Sequence, residues 1–266
     1  MGVFCYQFYH QFPTMTPLLT YLQFHLVFTI PPILVLGWLA IRRNRARWDR
    51  GAASGLVILV FLAVAYTTPW TNAMVPEGVW WYGEGAVLAT IWHTPLEEYL
   101  FFILQTTLTA CWLFQFLEVS DMSLRLPASH RIAGVLAGLG ICAAGWVLLG
   151  TTATFYLGSI LFWAGPILAI QWGFGLTYLL RERRQVLLAV GIPTLYLWVA
   201  DWIAISLGIW MISDAHTIGI GLAGLPLEEA LFFLVANVFV VQGSSCMFGC
   251  STDVANSLQC RRCVVS

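Results

Sequence analysis

An acidic motif appears twice inside apolar sequence. Pro95-Leu96-Glu97-Glu98-Tyr99-Leu100-Phe101-Phe102 recurs as Pro226-Leu227-Glu228-Glu229-Ala230-Leu231-Phe232-Phe233, with seven of eight positions identical and 131 residues between the copies. Of the 13 acidic residues, five lie in or near apolar runs: Glu97, Glu98, Asp201, Glu228 and Glu229. Carboxyls at membrane depth are costly, so a site in which they act is the first reading. A carboxyl in apolar surroundings tends to keep its proton and can donate it. A neighbouring carboxylate can take a proton or stabilise a cation. Such a group is suited to general acid–base chemistry. Thr94-Pro95-Leu96-Glu97 also fits a capping box with proline at the first helical position. The second copy reads Leu225-Pro226-Leu227-Glu228 and has no capping side chain, so capping alone explains the paired acids poorly. Adjacent glutamates diverge by about 100° around a helix. One per copy can point squarely at a shared cavity, while the other meets a neighbouring helix or backbone. Spacing does not choose between them.

The elements that must hold these acids follow from composition. The 266 residues are 59% hydrophobic and 9% charged, against roughly 25% charged in soluble domains. The formal net charge is -1, which gives no phosphate-binding field and excludes nucleic acid as a partner. All 12 basic residues are arginine, so Schiff-base chemistry on lysine, retinal attachment included, is excluded. Apolar runs near the roughly 20 residues that cross a bilayer fall at about 18–41, 53–75, 95–117, 131–151, 155–180, 186–210 and 224–242. They are long and lack alternation, so strands are not expected. The first basic residue is Arg42, unlike the basic start of a secretory signal, so the first run is expected to remain as a span.

The arginines segregate in this arrangement. Arg42, Arg43, Arg45, Arg47 and Arg50 follow the first span, Arg125 and Arg131 the third, and Arg181, Arg183 and Arg184 the fifth; Arg261 and Arg262 follow the seventh. The positive-inside rule places that face in the cytoplasm, the N-terminus outside and the C-terminus inside. The expected fold class is an all-α integral membrane protein of seven transmembrane helices, located in the cell (plasma) membrane. At 1.5 Å rise per residue, Glu97 lies about 30 Å above Glu118 and Asp201 about 25 Å above Arg184, which gathers the acids in the outer half of the bilayer. Trp80, Trp81, Tyr82 and Trp210 are expected to form an interfacial aromatic belt.

Further matches extend the duplication. Pro32-Ile33-Leu34 corresponds to Pro166-Ile167-Leu168, and Trp80 to Trp210. Spans one to three then match spans five to seven. Span four is the extra crossing that makes the two three-helix units parallel, related by a pseudo-two-fold axis along the membrane normal. The domain reading is an extracytoplasmic segment 1–17, a membrane domain 18–243 and a cysteine-containing cytoplasmic tail 244–266. Within the membrane domain, repeat one is about 18–117, the linking helix about 131–151 and repeat two about 155–243.

Other side chains are weighed beside the acids. His25 can donate to an acid or serve as a packing histidine. His93 precedes the first acid pair, has no counterpart in the second and reads as peripheral. Phe101, Phe102, Phe232 and Phe233 suit helix packing, and their ring faces can also stabilise a cation. Gly219-Ile220-Gly221-Leu222-Ala223-Gly224 satisfies a dinucleotide fingerprint literally but precedes a membrane helix and follows no βαβ strand, so no nucleotide cofactor is expected. Small residues there are expected to allow close helix packing. Cys246, Cys250, Cys260 and Cys263 loosely suggest zinc. Their central gap is short and the tail faces a reducing compartment, so no metal is expected; acylation or an idle tail is the reading.

The twin motifs, together with Tyr66-Thr67-Thr68-Pro69-Trp70 and Ala200-Asp201-Trp202, resemble the membrane-integral lycopene β-cyclases. That family occurs as two small subunits, as one fused chain, and as the leading domain of a fungal cyclase–phytoene synthase. This chain looks like the fused form over about 18–243. Two departures stand out. The family usually carries aspartate after the Pro-Trp of its first repeat, where this chain has Thr71, and the tail after Gly243 matches nothing in it. The resemblance implies cyclisation of lycopene through γ-carotene to β-carotene, an isomerisation needing an acid, a dry cation-tolerant pocket and a base, and no cofactor. It implies Glu97, Glu98, Glu228, Glu229 and Asp201 as catalytic residues. It also implies His25, Trp70, Phe101, Phe102, Trp202, Phe232 and Phe233 around the substrate. The implied partners are lycopene and other lipophilic carotenoids, membrane lipid and other carotenoid-pathway enzymes. Rival readings are a proton-coupled transporter with midplane acids, a sibling cyclase making ε-rings or acting on C50 carotenoids, and a non-catalytic scaffold.

Overall fold

The computed structural model describes residues 16–43, 50–115, 127–181 and 183–264, with side chains described over 16–42, 53–115, 127–174 and 183–245. The tail cysteines Cys246, Cys250, Cys260 and Cys263 lie outside the described side chains, as do Arg43, Arg45, Arg47, Arg50, Glu118, Arg125, Arg181, Arg261 and Arg262. The first helical rod has three parts: α1 (Tyr21–Phe24), a π-helical turn (His25–Thr29) and α2 (Ile30–Arg43). It is followed by α3 (Arg50–Met74), α4 (Leu96–Leu113), α5 (Ala128–Leu148), α6 (Phe155–Arg181), α7 (Arg183–Ser206) and α8 (Leu227–Val264). Among the described residues, six stretches are long and apolar enough to cross a membrane: Tyr21–Arg42, Ala53–Met74, Ala128–Leu148, Thr152–Phe174, Arg183–Ser206 and Leu227–Ser245. The helix α4 is not among them, because its 18 residues include Glu97, Glu98, Gln105 and three threonines. The backbone of α8 continues as helix through the segment read as a separate tail.

Short strands are present, contrary to the expectation from sequence. The strand β1 (Trp80–Tyr82) pairs antiparallel with β4 (Trp210–Ile212), with Trp80 opposite Ile212, Trp81 opposite Met211 and Tyr82 opposite Trp210. Two hairpins, β2 (Thr90–Ile91) with β3 (Thr94–Pro95) and β5 (Gly221–Leu222) with β6 (Leu225–Pro226), lead directly into α4 and α8. A three-residue strand is shorter than any window in which alternation is visible. The sixth helix consequently stops at Ser206 rather than running to 210, and Gly208 turns the chain at φ 69°. The last helix starts at Leu227 rather than 224. The glycines of 219–224 serve that hairpin instead of helix packing: a Cβ on Gly221 would lie 2.7 Å from the Leu225 carbonyl oxygen, and Gly224 sits at φ 97°.

Close helix packing by small residues occurs elsewhere. A Cβ on Gly134, Gly138 or Gly145 of α5 would collide with backbone atoms of Trp172, Ala169 or Phe162 on α6. The two helices therefore meet almost backbone to backbone, as membrane helices without bulky side chains can. The helix α8 packs against α3, α4, α6 and α7. Asn237 anchors it there: its Oδ1 accepts from Gln105 at 2.8 Å and from Thr109 at 2.5 Å, and its Nδ2 donates to Thr194 at 2.9 Å. A hydrocarbon medium offers no competing partners for these groups.

The π turn has a sequence cause. Tyr21-Leu22 and Pro32 in the first half correspond to Tyr156-Leu157 and Pro166 in the second, and the first half holds one residue more between them. A π turn absorbs one extra residue without breaking the rod, here with the Ile30 N–H reaching back to the His25 carbonyl. Phe28 and Trp163 consequently take matching roles: Tyr196 donates to the Phe28 carbonyl at 2.5 Å and Tyr66 to the Trp163 carbonyl at 2.8 Å.

Candidate active site

The two glutamates of each motif take different partners. In the first turns of α4 and α8, Glu97 Oε1 accepts the Leu88 N–H at 2.8 Å and Glu228 Oε1 accepts the Ile218 N–H at 2.8 Å. Each ties down the loop that precedes its hairpin. The neighbouring glutamates, turned by about 100°, accept from phenols instead. Tyr21 donates to Glu98 Oε2 at 2.7 Å and Tyr156 to Glu229 Oε1 at 2.6 Å. No capping box forms at Thr94: the N-cap is Pro95, without a side-chain bond, and the buried Thr94 hydroxyl has no partner among the described residues.

Glu98, Glu229 and Asp201 border one cavity of about 40 Å³. Tyr21, Tyr82 and Tyr156 line it with them, and Trp70, Trp80, Trp210, Phe101, Phe232 and Phe233 supply aromatic walls. The fold places each group by a local bond. The Tyr21 N–H donates to the Ala86 carbonyl at 2.8 Å and the Tyr156 N–H to the His216 carbonyl at 3.1 Å, which fixes both helix starts. A capping box between Thr20 and Gln23 starts α1. Residues two apart on a strand share a face, so β1 presents Trp80 and Tyr82 together. Tyr82 donates to Glu98 Oε2 at 3.2 Å and accepts from Trp80 Nε1 at 2.9 Å. From β4, Trp210 Nε1 donates to Asp201 Oδ1 at 2.9 Å, while Asp201 Oδ2 has no partner among the described residues. Asp201 is 2% exposed.

Several expectations are corrected here. Trp80, Tyr82 and Trp210 are buried over the cavity rather than set in an interfacial belt, because their indole and phenol groups find protein partners there. Glu97 and Glu228 do not border the cavity. His25 is fully buried behind its wall, 3.0 Å from the Glu97 carbonyl and 3.3 Å from Thr29 Oγ1, and bonds no carboxylate among the described residues. Trp202 is half turned to the outside and donates to the Ala223 carbonyl at 2.7 Å. Phe102 lines a neighbouring groove and not the acid cavity. Trp70, Phe101, Phe232 and Phe233 do border the acids. Thr71, the counterpart of Asp201, is buried with no partner for its hydroxyl among the described residues. With no carboxyl at that position, the Trp80 indole bonds Tyr82 instead.

Sequence reasoning missed the three tyrosines. Tyr21 and Tyr156 each open the first helix of a half and each precedes a leucine, a match that pairs them as readily as the prolines. Tyr82 has no such signal, since Ile212 holds the corresponding strand position.

A larger groove of about 430 Å³ adjoins the cavity, bounded by α3, α4, α6 and α8, with Phe101 and Phe232 lining both.

The comparisons with known proteins point to one family. The family model for lycopene cyclase matches residues 18–117 and 151–245. A lycopene beta-cyclase of Halobacterium salinarum is 47% identical over 230 residues, covering 84% of this chain and 94% of that protein. A bifunctional lycopene cyclase/phytoene synthase of Blakeslea trispora is 35% identical over 251 residues, covering 91% of this chain and 40% of that protein. The corresponding bifunctional protein of Aspergillus niger is 36% identical over 213 residues, covering 77% of this chain and 36% of that protein. No solved structure matches. With both halves matched by one family model and near-complete overlap with the Halobacterium protein, the chain belongs to the lycopene cyclase family.

Proposed function

We propose that this chain is a lycopene β-cyclase that closes both ends of lycopene, through γ-carotene, to β-carotene. The observation that carries the reading is the convergence of Glu98, Glu229 and Asp201 on one aromatic-walled cavity in a chain of this family. A carboxyl protonates the terminal alkene at C2. The tertiary cation at C1 is attacked by the C5=C6 bond, which closes the ring and moves the positive charge to C5. Loss of the C6 proton to a carboxylate gives the β-ionone ring and returns the proton to the enzyme. Atoms and electrons balance without a co-reactant. Carboxyls crowded into one poorly hydrated space share protons between them, so a donor and an acceptor can coexist. Asp201, with Oδ2 free of partners among the described residues, suits the donor. Glu98, on which two phenols converge, is provided with the donors that an anion needs. The rings of Trp70, Phe101 and Phe232 offer π faces to the cation.

The topology belongs to the same reading: seven spans, two parallel three-helix repeats, the N-terminus outside and the C-terminus in the cytoplasm, in the cell membrane. The 18 residues of α4 rise about 27 Å, close to the hydrocarbon thickness. The pairs Glu97–Leu88 and Glu228–Ile218, Tyr21–Glu98 and Tyr156–Glu229, and Tyr66–Trp163 and Tyr196–Phe28 support a two-fold relation between the halves.

The test is expression in a bacterium that accumulates lycopene, with pigments separated by chromatography. β-Carotene is expected. Glu98→Gln, Glu229→Gln and Asp201→Asn abolish it in protein that reaches the membrane. Glu97→Gln and Glu228→Gln retain most of it, because an amide oxygen still accepts the loop N–H. Unchanged lycopene from well-inserted wild-type protein would falsify the assignment, and ε-rings in the product would overturn the ring type.

A further inference from the structure

The groove beside the acid cavity takes no part in proton transfer, yet it shares Phe101 and Phe232 with that cavity. Its lining is mostly aliphatic and aromatic and carries no charged residue. Leu62 of α3 and Ile170 of α6 line it while 53% and 58% exposed, so it opens sideways, toward the bilayer. At its inner end Trp70, Trp163 and Phe232 stand between groove and cavity, with ring centroids 5.2 to 5.7 Å apart. Along α8 it extends from Phe232 to Gly243, about 16 Å of helix rise.

The opposite wall of the molecule is closed. On α7, Ala189 and Val190 are buried in a cluster with Leu113 of α4 and Val241 of α8, and Thr194 is bonded to Asn237. The α3 positions that correspond to them, Leu59, Val60 and Val64, are only half-buried. The halves therefore differ in two respects at once. The helix with the acid, Asp201, is sealed. The helix that borders the groove carries Thr71 instead, one turn beyond the groove-lining Thr67.

We propose that this groove holds the polyene tail of the substrate. The reacting end of a linear carotenoid meets the acids in the cavity, and the rest of the chain lies between α3 and α6, having entered sideways from the bilayer. This rests on the cyclase reading and adds to it an asymmetry, in which the passage runs along α3, on the side where Thr71 stands in place of an acid, while Asp201 lies on the sealed side. With one passage serving one acid group, the two ends of lycopene react in separate visits.

The test uses purified protein in lipid vesicles with two acyclic carotenes of the same end group, lycopene and a shorter homologue. Ala63→Phe fills the groove from α3, and Ile170→Trp fills it from the opposite wall at an exposed position where folding tolerates bulk. Both are expected to lower lycopene turnover roughly tenfold or more while the shorter substrate stays within about twofold of wild type. Phe61→Trp, on the outer face of α3 away from the groove, leaves both rates unchanged. A variant that fails to fold loses both substrates, and the second variant then carries the comparison. Wild-type rates for lycopene in both filled variants would overturn the inference and assign the groove to a lipid acyl chain. Equal loss of both substrates in folded protein would also overturn it. A wild-type protein that cyclises neither carotene would instead refute the cyclase assignment.

Discussion

Removing one oxygen atom from Tyr156 tests how the acid cavity works. The phenol donates to Glu229 at 2.6 Å, and the ring stacks against Trp70 at 6.4 Å and lies tilted beside Trp80 at 5.6 Å. Phenylalanine keeps those ring contacts and the volume, so the protein should fold and insert normally. The lost bond is charge-assisted whenever Glu229 is ionised, and such bonds contribute about 1.5–3 kcal/mol. At 1.36 kcal/mol per factor of ten, cyclisation falls roughly 10- to 100-fold. Tyr21→Phe is the internal comparison. Glu98 loses its 2.7 Å donor but keeps Tyr82 at 3.2 Å, so the loss should be about 2- to 10-fold. The assay is the initial rate of ring formation in lipid vesicles, normalised to folded protein measured by thermal unfolding. Equal losses in the two variants would refute the reasoning, as would losses that merely track a fall in folded protein.

Other outcomes follow from the same geometry. Glu228→Ala strands the Ile218 N–H and should destabilise by about 1–3 kcal/mol, seen as a lower unfolding midpoint, while Glu228→Gln stays near wild type. Asn237→Leu removes the link between α4, α7 and α8 and leaves the Gln105 amide with its 3.5 Å contact to Thr109, so the unfolding midpoint in detergent should drop before activity at low temperature does. Thr71→Asp should not raise activity. The new carboxyl either finds no donor or takes the Trp80 indole from Tyr82 and so weakens the support of Glu98; faster product formation would contradict this. In a time course, γ-carotene should rise before β-carotene, and added labelled γ-carotene should enter the product pool. Labelled γ-carotene that never enters would show that both ends react without release.

The sequence made the helices and the acids legible, and it left the roof of the site obscure. Long apolar runs announce rods because each must satisfy its own backbone in lipid. The doubled Pro-Leu-Glu-Glu motif marked the carboxyls, and the 100° argument anticipated that the two glutamates of a pair would take different partners. Which one faces the cavity depends on the loop N–H groups of Leu88 and Ile218, which come from segments with no periodic signature. The β1–β4 ribbon is three residues per strand and joins positions 130 residues apart, so neither alternation nor a local turn reveals it. Trp80 and Trp210 then look like surface anchors when read alone. The single extra residue in the first rod was visible as a shift in spacing, but only the π turn gives that shift a shape.

The ribbon has a consequence for assembly. Trp80, Tyr82 and Trp210 reach the cavity only when a strand from each half is laid edge to edge. The first half carries Glu98 and Tyr82, the second Asp201, Glu229 and Trp210, so the site is finished only when the last helices arrive. A chain cut between α4 and α5 would leave two fragments whose exposed strand edges are mutual templates. Co-expressed, such fragments should find each other by strand addition and regain function. Either fragment alone should remain silent, a safeguard against loose acid chemistry in a half-built protein.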